Sequence, residues 1–223
     1  MARLSRIVLP GVPHHVTQRG NRRQLLFLEP GDYALYRDLL SERCEANGVA
    51  CWAYCLMPNH VHLILTPSTE QGLSRAVGEA HRRFTAFSNA RARVTGHLFQ
   101  GRFASRPMDE DHLINAVRYL AFNPVSAGLA KTPQLWPWSS VRAHLSGRDD
   151  ALVRVAPVLE RVERFADLLK PSPDAQARWA AFTVGGVIGR PLGSPEFIDE
   201  AERMLGRKLQ PGRRGPKPKA TRN

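Results

Sequence analysis

Residues 49–66 read VACWAYCLM-PN-HVHLILT, and this stretch decides the fold. Two β-rich runs, 49–57 and 60–66, flank Pro58-Asn59, a pair that marks a turn, so the segment predicts a β-hairpin. Side chains alternate across a strand. His60, His62 and Ile64 therefore take one face, and Val61, Leu63 and Leu65 the other. The aliphatic face must be the buried one. Two imidazoles then project from the opposite face, close enough together to bind one ion. A His-x-His pair alone is more often structural than functional, so its meaning depends on what surrounds it.

Upstream, residues 11–19 read as a strand followed by a polar basic turn, Gly20-Asn21-Arg22-Arg23. Residues 32–47 read as a helix: Tyr36, Leu39, Leu40 and Arg43 recur at helical spacing, and Asn47-Gly48 is a stop signal. Downstream, Leu73, Ala76, Val77, Ala80, Phe84 and Phe87 form an amphipathic stripe opposite Arg75, Arg82 and Arg93. Residues 100–107 read as a short strand. A helix from about Asp109 buries Leu113, Ala116, Val117, Leu120 and Ala121. Strand, helix, hairpin, helix, strand, helix predicts an α+β domain. Its antiparallel sheet carries helices on one face and leaves the other free for a ligand.

The last third differs. Residues 150–169 and 194–205 read as helices, joined by a Gly- and Pro-containing stretch at 185–195. From Gly206 onward there are seven basic residues and no acidic ones, too polar a tail to order itself alone. The expected division is a main domain at 1–148, a helical extension at 149–205 and a basic tail at 206–223.

Across 223 residues, 32 Lys and Arg face 20 Asp and Glu, a net charge of +12. That excess points to a polyanion, most simply nucleic acid, although an Arg-rich proteome would give the same sign. Cys44, Cys51 and Cys55 are too few for a disulfide framework and lack CxxC spacing, so they read as core thiols in a reducing compartment. No signal-like or membrane-length apolar run is present, so a cytoplasmic, nucleoid-associated protein with no membrane partner is expected.

Tyr119 lies off the apolar stripe of its helix, in line with His112, Asn115 and Asn123. The spacing of Tyr119 and Asn123 sets a phenol and an amide on one helical face. The plain alternative is an amphipathic Tyr covering the core edge. Asn123 precedes Pro124, which pushes it from helical geometry, so the helix is expected to end or kink there. These groups make one chemistry together. A phosphodiester is attacked in line with its leaving oxygen while charge grows on the non-bridging oxygens. A metal on two neutral imidazoles keeps positions open to polarise that phosphate. It also eases the demand on a phenol whose ordinary pKa is near 10. An aryl phosphate is itself a good leaving group, so the freed 3′-hydroxyl can return and rejoin the strand. Protonated imidazole binds no cation, so activity is expected to fall below about pH 6.

The sequence resembles a known superfamily. Residues 57–64, MPNHVHLI, resemble the HUH motif of single-tyrosine transposases, and residues 118–125, RYLAFNPV, their nucleophile helix. Residues 15–22, HVTQRGNR, and 100–103, QGRF, are similar to their first and last strands, so the resemblance covers about residues 5–145. Residues 189–194, GRPLGS, and the basic tail are similar to the group associated with repetitive extragenic palindromes (REP). The resemblance implies a ferredoxin-like catalytic fold, a single-stranded DNA hairpin as substrate, and Mg²⁺ or Mn²⁺ as cofactor. It further implies a 5′-phosphotyrosine on Tyr119, with Asn123 as a third ligand beside His60 and His62. Two imidazoles suit Mn²⁺ better than Mg²⁺. Expected DNA contacts are Arg19, Asn21, Arg22, Arg102, Arg106, Arg213 and Arg214. The tail reads RRGPKP at 213–218, which favours phosphate contact over minor-groove insertion. Two other readings compete: a non-cleaving DNA-binding protein of the same fold, and a metal-dependent nuclease that uses water. The sequence is compatible with a monomer or a homodimer.

Overall fold

Val61, Leu63 and Leu65 are fully buried, and so is Ile64, which points the other way. The strand that carries the two histidines is therefore covered on both faces. The computed structural model describes residues 6–170, Trp179, Phe182 and residues 189–209. Its elements run β1 (His14–Arg19), α1 (Pro30–Ala46), β2 (Val49–Met57), β3 (His60–Pro67), α2 (Gly72–Ala92), β4 (Ala104–Pro107) and α3 (Glu110–Ser126). The strands pair antiparallel in the order β2-β3-β1-β4. This is the ferredoxin-like arrangement, with β1 and β3 at its centre. The expected α+β class, antiparallel sheet and hairpin are all present.

Helices α1 and α2 cover one face. Tyr36, Leu39 and Leu40 of α1 and Leu73, Ala76, Val77, Ala80 and Phe84 of α2 close over Val16, Val61, Leu63 and Leu65. Cutting a side chain such as Leu63 back to Ala would leave a cavity costing roughly 2–5 kcal/mol. The opposite face is not open, which corrects the expectation of a free ligand face. Leu113, Ala116, Val117, Leu120 and Ala121 of α3 pack there on Ala53, Cys55, Met57 and Ile64. The cause is an irregularity in β2, where the register with β3 shifts between Cys51 and Ala53. A bulge reverses which side chains face which way. Cys51 therefore joins the α1–α2 core, while Ala53, Cys55 and Met57 give the other face its own apolar patch. All three cysteines are free and buried.

Three further expectations are revised. Helix α3 does not end at Asn123 but runs through Pro124 to Ser126, so the proline removes one backbone hydrogen bond without stopping it. Residues 150–169 do not form one helix. Val153 bridges Cys51, the Arg154 amide donates to the Cys51 carbonyl at 2.8 Å, and Asp150 Oδ1 accepts the Leu152 and Val153 amides at 2.7 Å. Only single turns remain, α5 (Ala156–Leu159) and α6 (Phe165–Leu168), after α4 (Val141–Ser146). The final strand begins at Ala104 rather than at residue 100.

The 189–194 segment lies along β4. The Leu192 amide donates to Pro107 O at 2.8 Å, and the Asp109 amide to Leu192 O at 3.0 Å. A Cβ on Gly189 would come 2.7 Å from Ser105 O, so glycine allows this approach. Helix α7 (Pro195–Leu205) follows, and Ala201 and Leu209 pack against Ile7 and Leu9. Among the described residues no helix is long and apolar enough to cross a membrane.

Candidate functional site

In the antiparallel ladder His60 lies opposite Arg19, His62 opposite Thr17, and Ile64 opposite His15. Residues directly opposite share a face, so His15, Thr17 and Arg19 line the same side as the two histidines. This side faces α3. Helix α3 is fixed at its start by Asp109, whose Oδ1 accepts the His112 amide at 2.9 Å and whose Oδ2 accepts the Ser194 amide at 2.8 Å. The buried stripe of α3 faces Ile64, which turns Tyr119 and Asn123 toward the imidazoles.

The contacts are close. Asn123 Nδ2 donates to His62 Nε2 at 3.3 Å, and the Tyr119 ring stands edge-on to His62 at a centroid distance of 5.3 Å. The His60 and His62 rings lie 4.9 Å apart. His60 Nδ1 donates to Asn59 Oδ1 at 2.6 Å. His62 Nδ1 lies 3.0 Å from His15 Nε2, with the rings parallel to within 7°. His62 is buried; His60, Tyr119 and Asn123 are half-buried.

Burial first, and the Arg19 cation second, press the His60 pKa down to about 4, opposed by a hydrogen bond that His60 donates to Asn123. Burial, then His15, His60 and Arg19, hold His62 well below the ordinary imidazole range. Both rings are therefore neutral, as metal ligands must be. The Tyr119 phenol is shifted upward by burial, opposed by Asn123 and Arg19, so it is protonated at neutral pH.

The chemistry of the set fits a divalent ion: two neutral imidazole nitrogens with a neighbouring side-chain amide. Among the described residues no three His, Cys, Asp or Glu side chains converge as a metal cluster, and the side chain that meets the imidazole pair from α3 is Asn123.

Of the expected DNA contacts, Arg19 is exposed and stands across from His60. Asn21 and Arg22 fall in the short turn Asn21–Arg23 that follows, with Arg22 exposed. Arg106 lies opposite His15 on β4, half-buried, and its Nε donates to the Arg190 carbonyl at 3.2 Å. Arg102 is not brought to the imidazoles; it lines a cleft beside α2 with Arg6, Arg82 and His97. Arg213 and Arg214 lie outside the described residues.

Sequence reasoning missed three neighbours. His15 could have been found by carrying the alternation of β3 onto β1. Phe182 stacks on Tyr119 at 5.5 Å and meets His15 edge-on at 5.5 Å, and Trp179 lies 6.1 Å from Tyr119. Neither aromatic has a local signal, since tertiary packing alone brings it there.

The chain is similar to known proteins. A protein of Haemophilus influenzae named "Putative REP-associated tyrosine transposase" is 25% identical over 116 residues, covering 47% of this chain and 66% of that relative. The chain thus spans slightly under two thirds of it. A solved structure of a REP-associated tyrosine transposase bound to a REP hairpin is similar with a TM-score of 0.57. Its identity is 22%, over 70% of this chain and 93% of that one, a likeness of fold. The family model described as "Transposase IS200 like" matches residues 11–123, half of the chain. The chain belongs to the IS200-like transposase family.

Proposed function

We propose that this chain is a metal-dependent single-stranded DNA endonuclease and strand transferase that acts on palindromic hairpins through Tyr119. The observation that carries the reading is the meeting of Tyr119 and Asn123 with His62, which is itself paired with His60 on one strand face. A pure DNA-binding module has no need of that set. A divalent ion such as Mn²⁺ or Mg²⁺, held by His60, His62 and Asn123, would polarise the scissile phosphate and stabilise its growing charge.

In the reaction the Tyr119 oxygen attacks phosphorus in line with the 3′ oxygen. The P–O3′ bond breaks, the phenolic proton passes to solvent, and the departing 3′ oxygen takes up a proton. A 5′-phosphotyrosine remains. Attack on it by a 3′-hydroxyl reforms the phosphodiester and returns the phenol. Arg19, exposed opposite His60, is placed to meet a backbone phosphate, with Asn21 and Arg22 extending that basic edge. We assign catalysis to residues 1–148, support of the nucleophile helix to 149–205, and sequence-independent phosphate contact to the 206–223 tail with Arg213 and Arg214. The hairpin preference is supported by the relative solved with a REP hairpin. All four groups belong to one chain, which favours cleavage in cis, and the work belongs in the nucleoid.

The test is incubation with labelled single-stranded copies of the palindromes flanking the gene, with Mn²⁺ and with EDTA. Cleavage should require the metal and disappear in His60→Ala and His62→Ala. Cleavage in EDTA would remove the metal from the account.

A further inference from the structure

We infer that His15 is a positioning residue for the metal site: it accepts the Nδ1 proton of His62 and so holds that ring in the tautomer whose Nε2 lone pair faces Asn123. The inference rests on the metal-dependent reading above.

His15 Nε2 lies 3.0 Å from His62 Nδ1, and both side chains are buried. Two neutral imidazoles can share such a contact in two ways. If His62 donates, its Nε2 is bare, and the Asn123 amide nitrogen 3.3 Å away can donate to it. If His15 donates, His62 must carry its proton on Nε2. That proton would oppose the amide N–H and occupy the lone-pair direction an ion needs. Only the first arrangement satisfies both contacts at His62. The same device stands behind the other ligand, where Asn59 Oδ1, an acceptor only, lies 2.6 Å from His60 Nδ1. Each imidazole therefore has an acceptor on its Nδ1, and the Nε2 of His62 meets Asn123 in front. One acceptor comes from the Pro58-Asn59 turn and the other from β1.

The sheet explains why an imidazole can do this at position 15. His62 is opposite Thr17, so His15 is its diagonal same-face neighbour, within reach of a ring but not of a short side chain. The ring is held parallel to His62 within 7° and is met edge-on by Phe182 at 5.5 Å. A residue that merely filled the space would need shape alone, and phenylalanine would serve.

The experiment has two readouts in DNA-free protein. The first is the ¹⁵N shifts of the His62 ring without metal, and the second is Mn²⁺ affinity by calorimetry. The parent should show His62 protonated on Nδ1. His15→Phe should shift population to the Nε2–H form and weaken Mn²⁺ binding by roughly 10–100-fold, the usual cost of losing an orienting partner. His15→Gln, whose amide oxygen accepts, should recover most of that affinity. Hairpin binding in EDTA should be the same in all three. An Nε2–H tautomer in the parent, or parental Mn²⁺ affinity in His15→Phe, would overturn the assignment. Should the Phe variant fail to fold, the parent's tautomer and the Gln variant decide alone. A parent that binds no Mn²⁺ would remove the metal reading, while the tautomer in the metal-free protein still judges the orienting bond.

Discussion

Replacing Asp109 with Ala should loosen the nucleophile helix at its root. The carboxylate caps α3 through the His112 amide at 2.9 Å and meets His112 Nδ1 at 2.7 Å, while its other oxygen accepts the Ser194 amide at 2.8 Å. Loss of an N-cap costs about 1 kcal/mol. A hydrogen bond to a charged acceptor adds roughly 1.5 kcal/mol, so the sum is about 2–3 kcal/mol. In a chain of this size that lowers the melting temperature by roughly 5–10 °C. Asp109→Asn keeps one acceptor for the cap and should lose only about 1 kcal/mol. Burial, the largest influence on this carboxyl, would raise its pKa. The His112 amide and ring and the Ser194 amide outweigh it and hold the group below its usual range. A depressed carboxyl stabilises above its unfolded pKa near 3.9, and the contribution vanishes as pH falls through the folded value. Parent and Asp109→Ala should therefore converge as the pH falls below the usual carboxylate range. Thermal and urea unfolding followed by circular dichroism measure this. A melting point within about 2 °C of the parent at neutral pH would refute the clamp.

Gly193→Ala should destabilise by about 1–3 kcal/mol, since a Cβ there would run into the Phe197 ring and come 2.9 Å from Asp109 Oδ2; unchanged unfolding would contradict this. His14 and His81 are buried and lowered to about 4 and about 3, mainly by desolvation. Their folded values lie below the unfolded value near 6.5, so stability should be full above about pH 6.5 and fall as the pH drops toward 4. A urea midpoint that stays flat from pH 7 to 5 would exclude the effect. Because Leu209 is buried against Ile7 and Leu9, the tail truncation should begin at residue 210. Removing 210–223 should weaken binding to hairpin and unstructured DNA alike and flatten the salt dependence by about 0.7 in slope per lost phosphate contact. Hairpin preference should survive, and its loss would make the tail the reader.

What was legible in the sequence was what is local. The period of two in β3 gave the faces of His60 and His62, and the period near 3.6 gave the stripe of α3 and the outward line of Tyr119 and Asn123. Pro58-Asn59 placed the hairpin turn. The rest depends on contacts far apart in sequence. The irregularity at Cys51 and Ala53 turns half of β2 toward α3, and nothing in VACWAYCLM announces it. Pairing of Val153 with Cys51 overrides the helical propensity of residues 150–169. His15 was visible as part of a motif, but its bond to His62 follows only from the register between β1 and β3.

The central claim is that the Tyr119 oxygen is the nucleophile. The most direct measurement is intact-protein mass spectrometry after incubation with hairpin DNA and Mn²⁺, on the parent and on Tyr119→Phe. The parent should gain the mass of the 5′-phosphorylated fragment, localised by proteolysis to Tyr119. Tyr119→Phe should form no adduct and cut nothing, while binding the hairpin and unfolding within about 1 kcal/mol of the parent. Cleavage at the parental rate by Tyr119→Phe, or cleavage by the parent with no covalent adduct at any time, would give the reaction to water and contradict the account.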